Sequence, residues 1–154
     1  MLVIHAISLP PGQFSGDAVE QLFLGTLDMD RDPALASLVG VRVSAHLFIR
    51  RDGEIIQFVP FDERAWHAGR SHWQGMEGLN DYAIGIELEG DCNQSYTYSQ
   101  YSRLVQVSRA LSQRYPAITL QRTVGHECIA PYRKEDPGPG FDWQLLAQLQ
   151  AHMT

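Results

Sequence analysis

The dipeptide Asp52-Gly53 separates two segments rich in apolar residues, residues 44–50 and residues 54–59. Asp-Gly is favoured in two-residue hairpin turns because both central residues of such a turn need a positive φ. The two flanking segments are therefore predicted to be antiparallel strands joined by this turn. This pattern predicts that the middle of the chain forms part of a β-sheet.

Further strands are predicted on both sides of the hairpin. Residues 3–7 are β-branched and apolar apart from His5, and they end at the Pro- and Gly-containing residues 9–12. Residues 83–89 place apolar side chains on one face and Gly85, Glu87 and Glu89 on the other. Residues 121–125 predict a last short strand before a proline-rich loop.

Helical patterns alternate with these strands. Residues 97–115 are amphipathic and stop before Pro116, while Asp17 and Asp142 are positioned to cap helices over residues 18–24 and 143–152. Strands interleaved with helices predict an α/β fold, a single domain over residues 1–154 with a mixed central β-sheet flanked by helices. Residues 62–82 predict a long loop, and long loops inside compact domains are usually functional.

Composition excludes several classes of protein. The chain of 154 residues carries a net charge of −6, so it offers no overall basic character with which to bind nucleic acid. No apolar run approaches the roughly 20 residues that span a bilayer, and the first residues do not resemble a signal peptide. The two cysteines, Cys92 and Cys128, are expected to be reduced and unpaired.

Histidines are the first candidates for chemistry. His5 interrupts an apolar strand, His126 follows a strand, and Asp136 precedes Pro137. Two neutral imidazoles and one carboxylate can bind zinc and leave a fourth position for water, so these residues are candidates for a zinc site in a surface cleft. Spacing alone does not select these ligands, because His46 and His67 are equally available, and a lone inward histidine is more often a hydrogen-bonded core residue.

Two charged side chains are candidates for acid-base chemistry near such a site. Glu87 could accept a proton from an attacking water, but Glu89 shares its face and the alternation does not choose between them. Lys134 lies two residues before Asp136, where an ammonium could stabilise an oxyanion. The ordinary alternative is that Glu87, Glu89 and Lys134 are solvated residues of a strand and a loop.

Five strings of the sequence carry a family resemblance. They are VIHAISLPPG, VSAHLFIRRDGEIIQFVPFDERAWHAG, IGIELEG, GHECIAP and KEDPGPGFDW, in order from residue 3 to residue 143. Together they closely resemble the AmpD-type N-acetylmuramoyl-L-alanine amidases of the amidase-2 group, which also includes peptidoglycan recognition proteins.

The resemblance implies a role for each matching position. It implies zinc ligands at His5, His126 and Asp136, with Glu87 rather than Glu89 as catalytic glutamate and Lys134 as catalytic lysine. Relatives that use a cysteine ligand carry it directly before Pro-Gly, so Asp136 is favoured over Cys128. The implied substrate contacts are Arg42, Trp66 and Arg133, with His67 lining the cleft.

The function implied is zinc-dependent hydrolysis of the amide between N-acetylmuramic acid, in its 1,6-anhydro form, and L-alanine. The expected partner is a small muropeptide from cell-wall recycling, and the expected protein is a cytoplasmic monomer. The alternatives are an amidase that acts on intact peptidoglycan and a peptidoglycan-binding module without activity. The sequence departs from the family pattern at two places that bear on substrate specificity. Ala6 replaces the family's usual asparagine, and the chain begins close to His5.

Overall fold

The apolar strand at the start of the chain lies inside a five-stranded sheet. The computed structural model describes residues 1–152. The strands are β1 (Leu2–Ile7), β2 (Leu47–Ile49), β3 (Ile55–Gln57), β4 (His72–Trp73), β5 (Met76–Glu77), β6 (Ile84–Glu89) and β7 (Thr123–Gly125). The large sheet has the order β3-β2-β6-β1-β7, and only the β2–β3 pair is antiparallel. The predicted mixed sheet and the β2–β3 hairpin are confirmed, but the predicted two-residue turn is wrong: only Gly53 has a positive φ, and its N–H donates to the Arg50 carbonyl oxygen at 2.9 Å.

The helices are α1 (Ala18–Leu24), α2 (Tyr98–Arg114), α3 (His126–Ile129) and α4 (Trp143–His152). Thr97 and Gln100 form a capping box at the start of α2, and the Asp142 carboxylate accepts the Leu145 N–H at 2.8 Å. The predicted cap of α1 is wrong in one respect. The Asp17 side chain makes no capping bond, because it binds Gln21 and Arg31 instead.

The two faces of the sheet differ in what covers them. On one face, Ile4, Ile86 and Leu88 pack with residues of α2 and α4 in the main hydrophobic core. On the other face, Val3 packs with Leu79, Val124 and other residues of a smaller cluster. Strand alternation therefore places His5, Gly85 and Glu87 on the face of the smaller cluster.

The long segment between β3 and β6 covers this second face. It is mostly irregular, as predicted, but it contains the two-stranded β4–β5 hairpin and a short 3₁₀ helix over Leu79–Asp81. Two further 3₁₀ helices, Met29–Arg31 and Pro33–Leu38, occupy the region between α1 and β2. Within residues 1–152, no helix combines the length and apolar character that crossing a bilayer requires.

Candidate metal centre and active site

The register of three parallel strands brings the site residues into one row. His5 on β1 lies opposite Glu87 on β6, and Ile4 lies opposite Gly125 at the end of β7. Because β1 and β7 run in the same direction, the residue after Gly125, His126, reaches the level of His5. Three side chains distant in sequence are thus neighbours on one face of the sheet.

Asp136 completes a compact group with the two histidines. Its Oδ2 lies 3.2 Å from His5 Nδ1 and 3.1 Å from His126 Nδ1, and the two Nδ1 atoms are 2.9 Å apart. One ligand atom from each of these three residues lies within 4.8 Å of the others. The loop that carries Asp136 is tied to α3 because the Glu127 N–H donates to the Asp136 carbonyl oxygen at 3.0 Å.

The ring nitrogens that face away from Asp136 make hydrogen bonds that suit His5, His126 and Asp136 to binding a cation. His126 Nε2 lies 3.2 Å from the Ala68 carbonyl oxygen, which can only accept, so Nε2 carries the proton and Nδ1 presents a lone pair. Burial lowers the pKa of His5 to about 4, so its ring is neutral near pH 7. Nitrogen lone pairs and a carboxylate oxygen at this spacing match the ligands and ligand count of a catalytic zinc site.

Two alternative ligands lie outside the group. His46 is buried, with Nδ1 accepting the Gly85 N–H at 3.0 Å and Nε2 donating to the Glu63 carbonyl oxygen at 3.0 Å. Cys128 is exposed, and its thiol faces the Glu127 carboxylate at 3.6 Å. Both cysteines are unpaired, as predicted.

Glu87 and Glu89 have different surroundings, although both are buried. The Glu89 carboxylate accepts the N–H groups of Ser15 and Arg51, at 2.6 and 3.0 Å, and fixes two loops. Glu87 Oε2 is fully buried and has no hydrogen-bond partner. Burial, followed by the charge of Asp136, raises the pKa of Glu87 well above its usual value. A carboxyl group with a perturbed pKa beside a potential metal site is typical of a catalytic acid-base residue.

A cleft opens beside Asp136. It has a volume of about 440 Å³, within the range of small-molecule sites. Lys134 is half-buried in its wall, and the charge of Lys134 acts on the pKa of both His5 and Glu87. The other residues that line the cleft are Ala6, Cys92, Pro131, Tyr132, Arg133 and Glu135. No sequence pattern indicated Cys92 here, because only folding brings this distant residue to Asp136, while Tyr132 lies four residues before Asp136 on the same loop.

Of the three predicted substrate contacts, only Arg133 lines this cleft. Trp66 is 55% exposed, and the Arg64 guanidinium lies 4.1 Å from its ring centre, a contact that the sequence did not indicate. Arg133 lines the cleft while it donates to the carbonyl oxygens of Ala68 and Arg70. Arg42 is exposed and does not line this cleft.

His67 does not line the cleft, contrary to the expectation from its neighbour Trp66. Its side chain is buried beside His5, with His5 Nε2 at 2.9 Å from its Nδ1 and the Ala83 carbonyl oxygen at 3.2 Å from its Nε2. No sequence pattern indicated this inward position, because the segment around His67 is irregular and both His67 and Ala68 are buried.

Comparison with known proteins agrees with the family resemblance. A family profile described as N-acetylmuramoyl-L-alanine amidase matches residues 1–139. The 1,6-anhydro-N-acetylmuramyl-L-alanine amidase AmpD of Escherichia coli strain K12 is 57% identical over 154 residues, covering 100% of this chain and 84% of the relative. The protein of the same name from Citrobacter freundii is 57% identical over 149 residues, covering 97% of this chain and 79% of the relative.

Solved structures agree in fold. A crystal structure of a Se-Met AmpD derivative matches with a TM-score of 0.94 and 55% identity, over 97% of this chain and 83% of that chain. The E. coli amidase AmiD, solved in complex with anhydro-N-acetylmuramic acid-L-Ala-D-γ-Glu-L-Lys, matches with a TM-score of 0.69 and 35% identity, over 96% of this chain and 56% of that chain. The resemblance carried by the five strings is confirmed, and the chain belongs to the N-acetylmuramoyl-L-alanine amidase family.

Proposed function

We propose that this protein hydrolyses the amide bond between 1,6-anhydro-N-acetylmuramic acid and L-alanine in cell-wall fragments, with zinc bound by His5, His126 and Asp136. The observation that carries the proposal is the convergence of these three ligands, from distant segments, next to the buried carboxyl group of Glu87. Relatives that share over half of their residues with this chain are named as amidases of this bond.

A bound zinc ion would supply a Lewis acid and lower the pKa of a water molecule toward neutrality. Glu87 accepts the proton of the water that attacks the lactyl carbonyl carbon, and a proton then passes to the alanine nitrogen as the amide bond breaks. A zinc cation would also favour the ionised carboxylate of Glu87, which burial alone disfavours.

Lys134 has an electrostatic role in this proposal. Its ammonium group lies on the cleft wall beside Asp136 and stabilises the negative charge that develops on the carbonyl oxygen. Because Lys134 is half-buried, its charge is screened less than it would be in bulk water. Lys134 therefore contributes to the rate, whereas His5, His126 and Asp136 contribute to metal affinity.

Substrate recognition is assigned to the exposed residues around the cleft. The Trp66 ring offers an apolar face to a sugar, and Arg133 and Arg42 offer guanidinium groups to the carboxylates of a stem peptide. Ala6 lines the cleft and cannot donate a side-chain hydrogen bond there. We assign the enzyme to muropeptide recycling in the cytoplasm and to the monomeric state, which cell fractionation and light scattering would test.

The decisive experiment compares two substrates. Zinc-loaded protein is incubated with an anhydro-muropeptide and with intact sacculi, and the products are identified by mass. Release of free peptide and anhydro-sugar from the first substrate alone supports recycling; release from sacculi alone would favour an enzyme of the intact wall. A protein that binds fragments but releases no product with zinc bound would be a binding module.

Two variants test the assigned roles. Glu87→Gln should lower kcat about 10²–10⁴-fold, the usual contribution of a general acid-base group. Lys134→Ala should lower it about 10²–10³-fold, as expected for loss of an oxyanion stabiliser. Both variants should still bind one zinc ion per chain by metal analysis. Full activity in either one would remove that residue from the mechanism.

A further inference from the structure

His67 contacts a proposed metal ligand without being a ligand itself. The two imidazole rings of His5 and His67 meet edge to face, with ring centres 5.0 Å apart. His67 Nδ1 lies 2.9 Å from His5 Nε2, the nitrogen on the far side of the His5 ring from Asp136. Both ring nitrogens of His67 therefore have partners inside the protein, because Nε2 faces the Ala83 carbonyl oxygen.

These contacts determine where the protons lie. The Ala83 carbonyl oxygen can only accept, so the proton of a neutral His67 is on Nε2 and its Nδ1 is an acceptor. The partner atom, His5 Nε2, must then be the donor. His5 is left with a lone pair on Nδ1, the nitrogen that faces His126 and Asp136. Metal binding requires this tautomer of His5.

The residue after His67 has the same effect on the second histidine. The His126 Nε2–H donates to the Ala68 carbonyl oxygen, which leaves a lone pair on His126 Nδ1. The Asn80 side-chain oxygen accepts the backbone N–H groups of both His67 and Ala68, at 3.0 and 2.7 Å. One short segment, fixed by one asparagine, thus provides hydrogen-bond acceptors for two metal ligands.

The sheet leaves a space for the His67 ring. A Cβ atom built on Gly85 would lie 2.3–2.6 Å from three atoms of this ring, closer than any real contact. Only glycine at this position of β6 lets the ring lie flat against the strand beside His5. The position of His67 is therefore determined by packing as well as by its hydrogen bonds.

We propose that His67 is a positioning residue, which holds His5 in the orientation and tautomer that bind the metal, and that it does not contact substrate. The inference rests on the proposed role of His5 as a ligand. Hydrogen-bond partners of ligating histidines fix ring orientation and raise ligand basicity, and their loss costs about 10–100-fold in metal affinity.

Three variants separate positioning from general structural support. His67→Phe keeps a ring but removes the acceptor, while His67→Asn retains an amide oxygen near the position of Nδ1. His46→Phe is a stringent control, because His46 is a buried histidine with two hydrogen bonds that meets the His67 ring edge to face, 5.7 Å between ring centres, and makes no hydrogen bond to a proposed ligand. Zinc affinity is measured by competition with a chromophoric chelator, and folding by circular dichroism.

The expected result is a loss of about 10–100-fold in zinc affinity for His67→Phe, with most of the affinity restored in His67→Asn. His46→Phe should bind zinc like the wild type even where its folding stability falls. In zinc-saturated His67→Phe, KM should stay near the wild-type value, because His67 lies outside the substrate cleft. A folded His67→Phe protein with wild-type zinc affinity would overturn the inference.

A measurement on the wild-type protein covers the case in which His67→Phe does not fold. Long-range ¹H–¹⁵N NMR of histidine-labelled, zinc-loaded protein reports the tautomer of each ring. The inference requires protons on Nε2 of both His5 and His67, and a proton on His67 Nδ1 would overturn it. If the wild-type protein binds no zinc, the proposed function fails as well, whereas normal zinc binding with an unaffected His67→Phe variant contradicts only the positioning role.

Discussion

Gly85→Ala tests the packing around His67 directly. The added methyl group would lie 2.3 Å from Cγ, 2.5 Å from Nδ1 and 2.6 Å from Cδ2 of that ring. Restoring ordinary contact distances requires the ring to move by about 1 Å, since carbon atoms are at optimal separation near 3.5–4.0 Å. The ring cannot move this far and keep both its bonds, to His5 Nε2 at 2.9 Å and to Ala83 O at 3.2 Å.

The expected magnitude follows from two opposing effects. Overpacking a buried site costs about 1–3 kcal/mol. Replacing glycine with alanine in a strand, in the absence of a clash, stabilises by about 0.5–1 kcal/mol. The backbone of Gly85 gives no other reason for a cost, because it lies in β6 without a positive φ. The substitution should therefore lower the free energy of unfolding by up to about 2.5 kcal/mol in total.

The assay is a double-mutant cycle in urea on metal-free protein, so that zinc binding does not add to the measured stability. In a His67→Ala background the methyl group has room, and Gly85→Ala should become neutral or stabilising. A coupling energy above about 1 kcal/mol between the two sites is expected for residues in direct contact. An equal cost in both backgrounds would refute the argument, because it would show that the His67 ring does not occupy this space.

Two more predictions concern buried groups around the site. Glu89→Gln should destabilise the fold by about 1–3 kcal/mol in urea unfolding, since it weakens the acceptor of the Ser15 and Arg51 N–H groups. The folded variant should hydrolyse substrate normally, and a Glu87-like loss of activity would contradict the distinction between the two glutamates. Burial lowers the pKa of His46 below 6.5, so the unfolded chain binds more protons and stability falls as the pH drops below about 6.5. His46→Phe should flatten this dependence by up to about 1.4 kcal/mol per pH unit in urea titrations of metal-free protein, and an unchanged slope would show that His46 does not titrate in this way.

Local sequence patterns predicted most of the secondary structure, because each pattern reflects a local physical constraint. The β2–β3 hairpin, the apolar segment that forms β1 and the amphipathic segment that forms α2 all lie where they were expected. The side chain of Asp17 departed from its expected cap because an arginine 14 residues away competes for its carboxylate. Helix-capping preferences reflect only the residues near a helix end, so they do not account for a contact with a residue farther along the chain.

The distinction between Glu87 and Glu89 depends on tertiary contacts. Alternation correctly placed both side chains on one face of β6, and both are buried. Loops that are distant in sequence provide backbone donors to Glu89, while one oxygen of Glu87 has no partner among the described residues. Neither fact can be obtained from period-2 alternation, which is why only the family strings favoured Glu87 at the sequence level.

The relative position of the two proposed ligand histidines follows from strand register, whereas Asp136 lies on a loop. His5 lies within β1, and His126 follows β7 directly, so the parallel pairing of these strands sets the distance between the two rings. A slip of one residue in that pairing would turn alternate side chains to the opposite face and separate the ligands. Sites built on strands hold their geometry more closely than sites on loops. Trp66, by contrast, lies on the irregular segment between β3 and β6, where sequence can vary without disturbing the sheet. The sheet thus sets the distance between the two proposed ligand histidines, and the His67-Ala68 segment, which contacts both of them, adjoins the exposed Trp66.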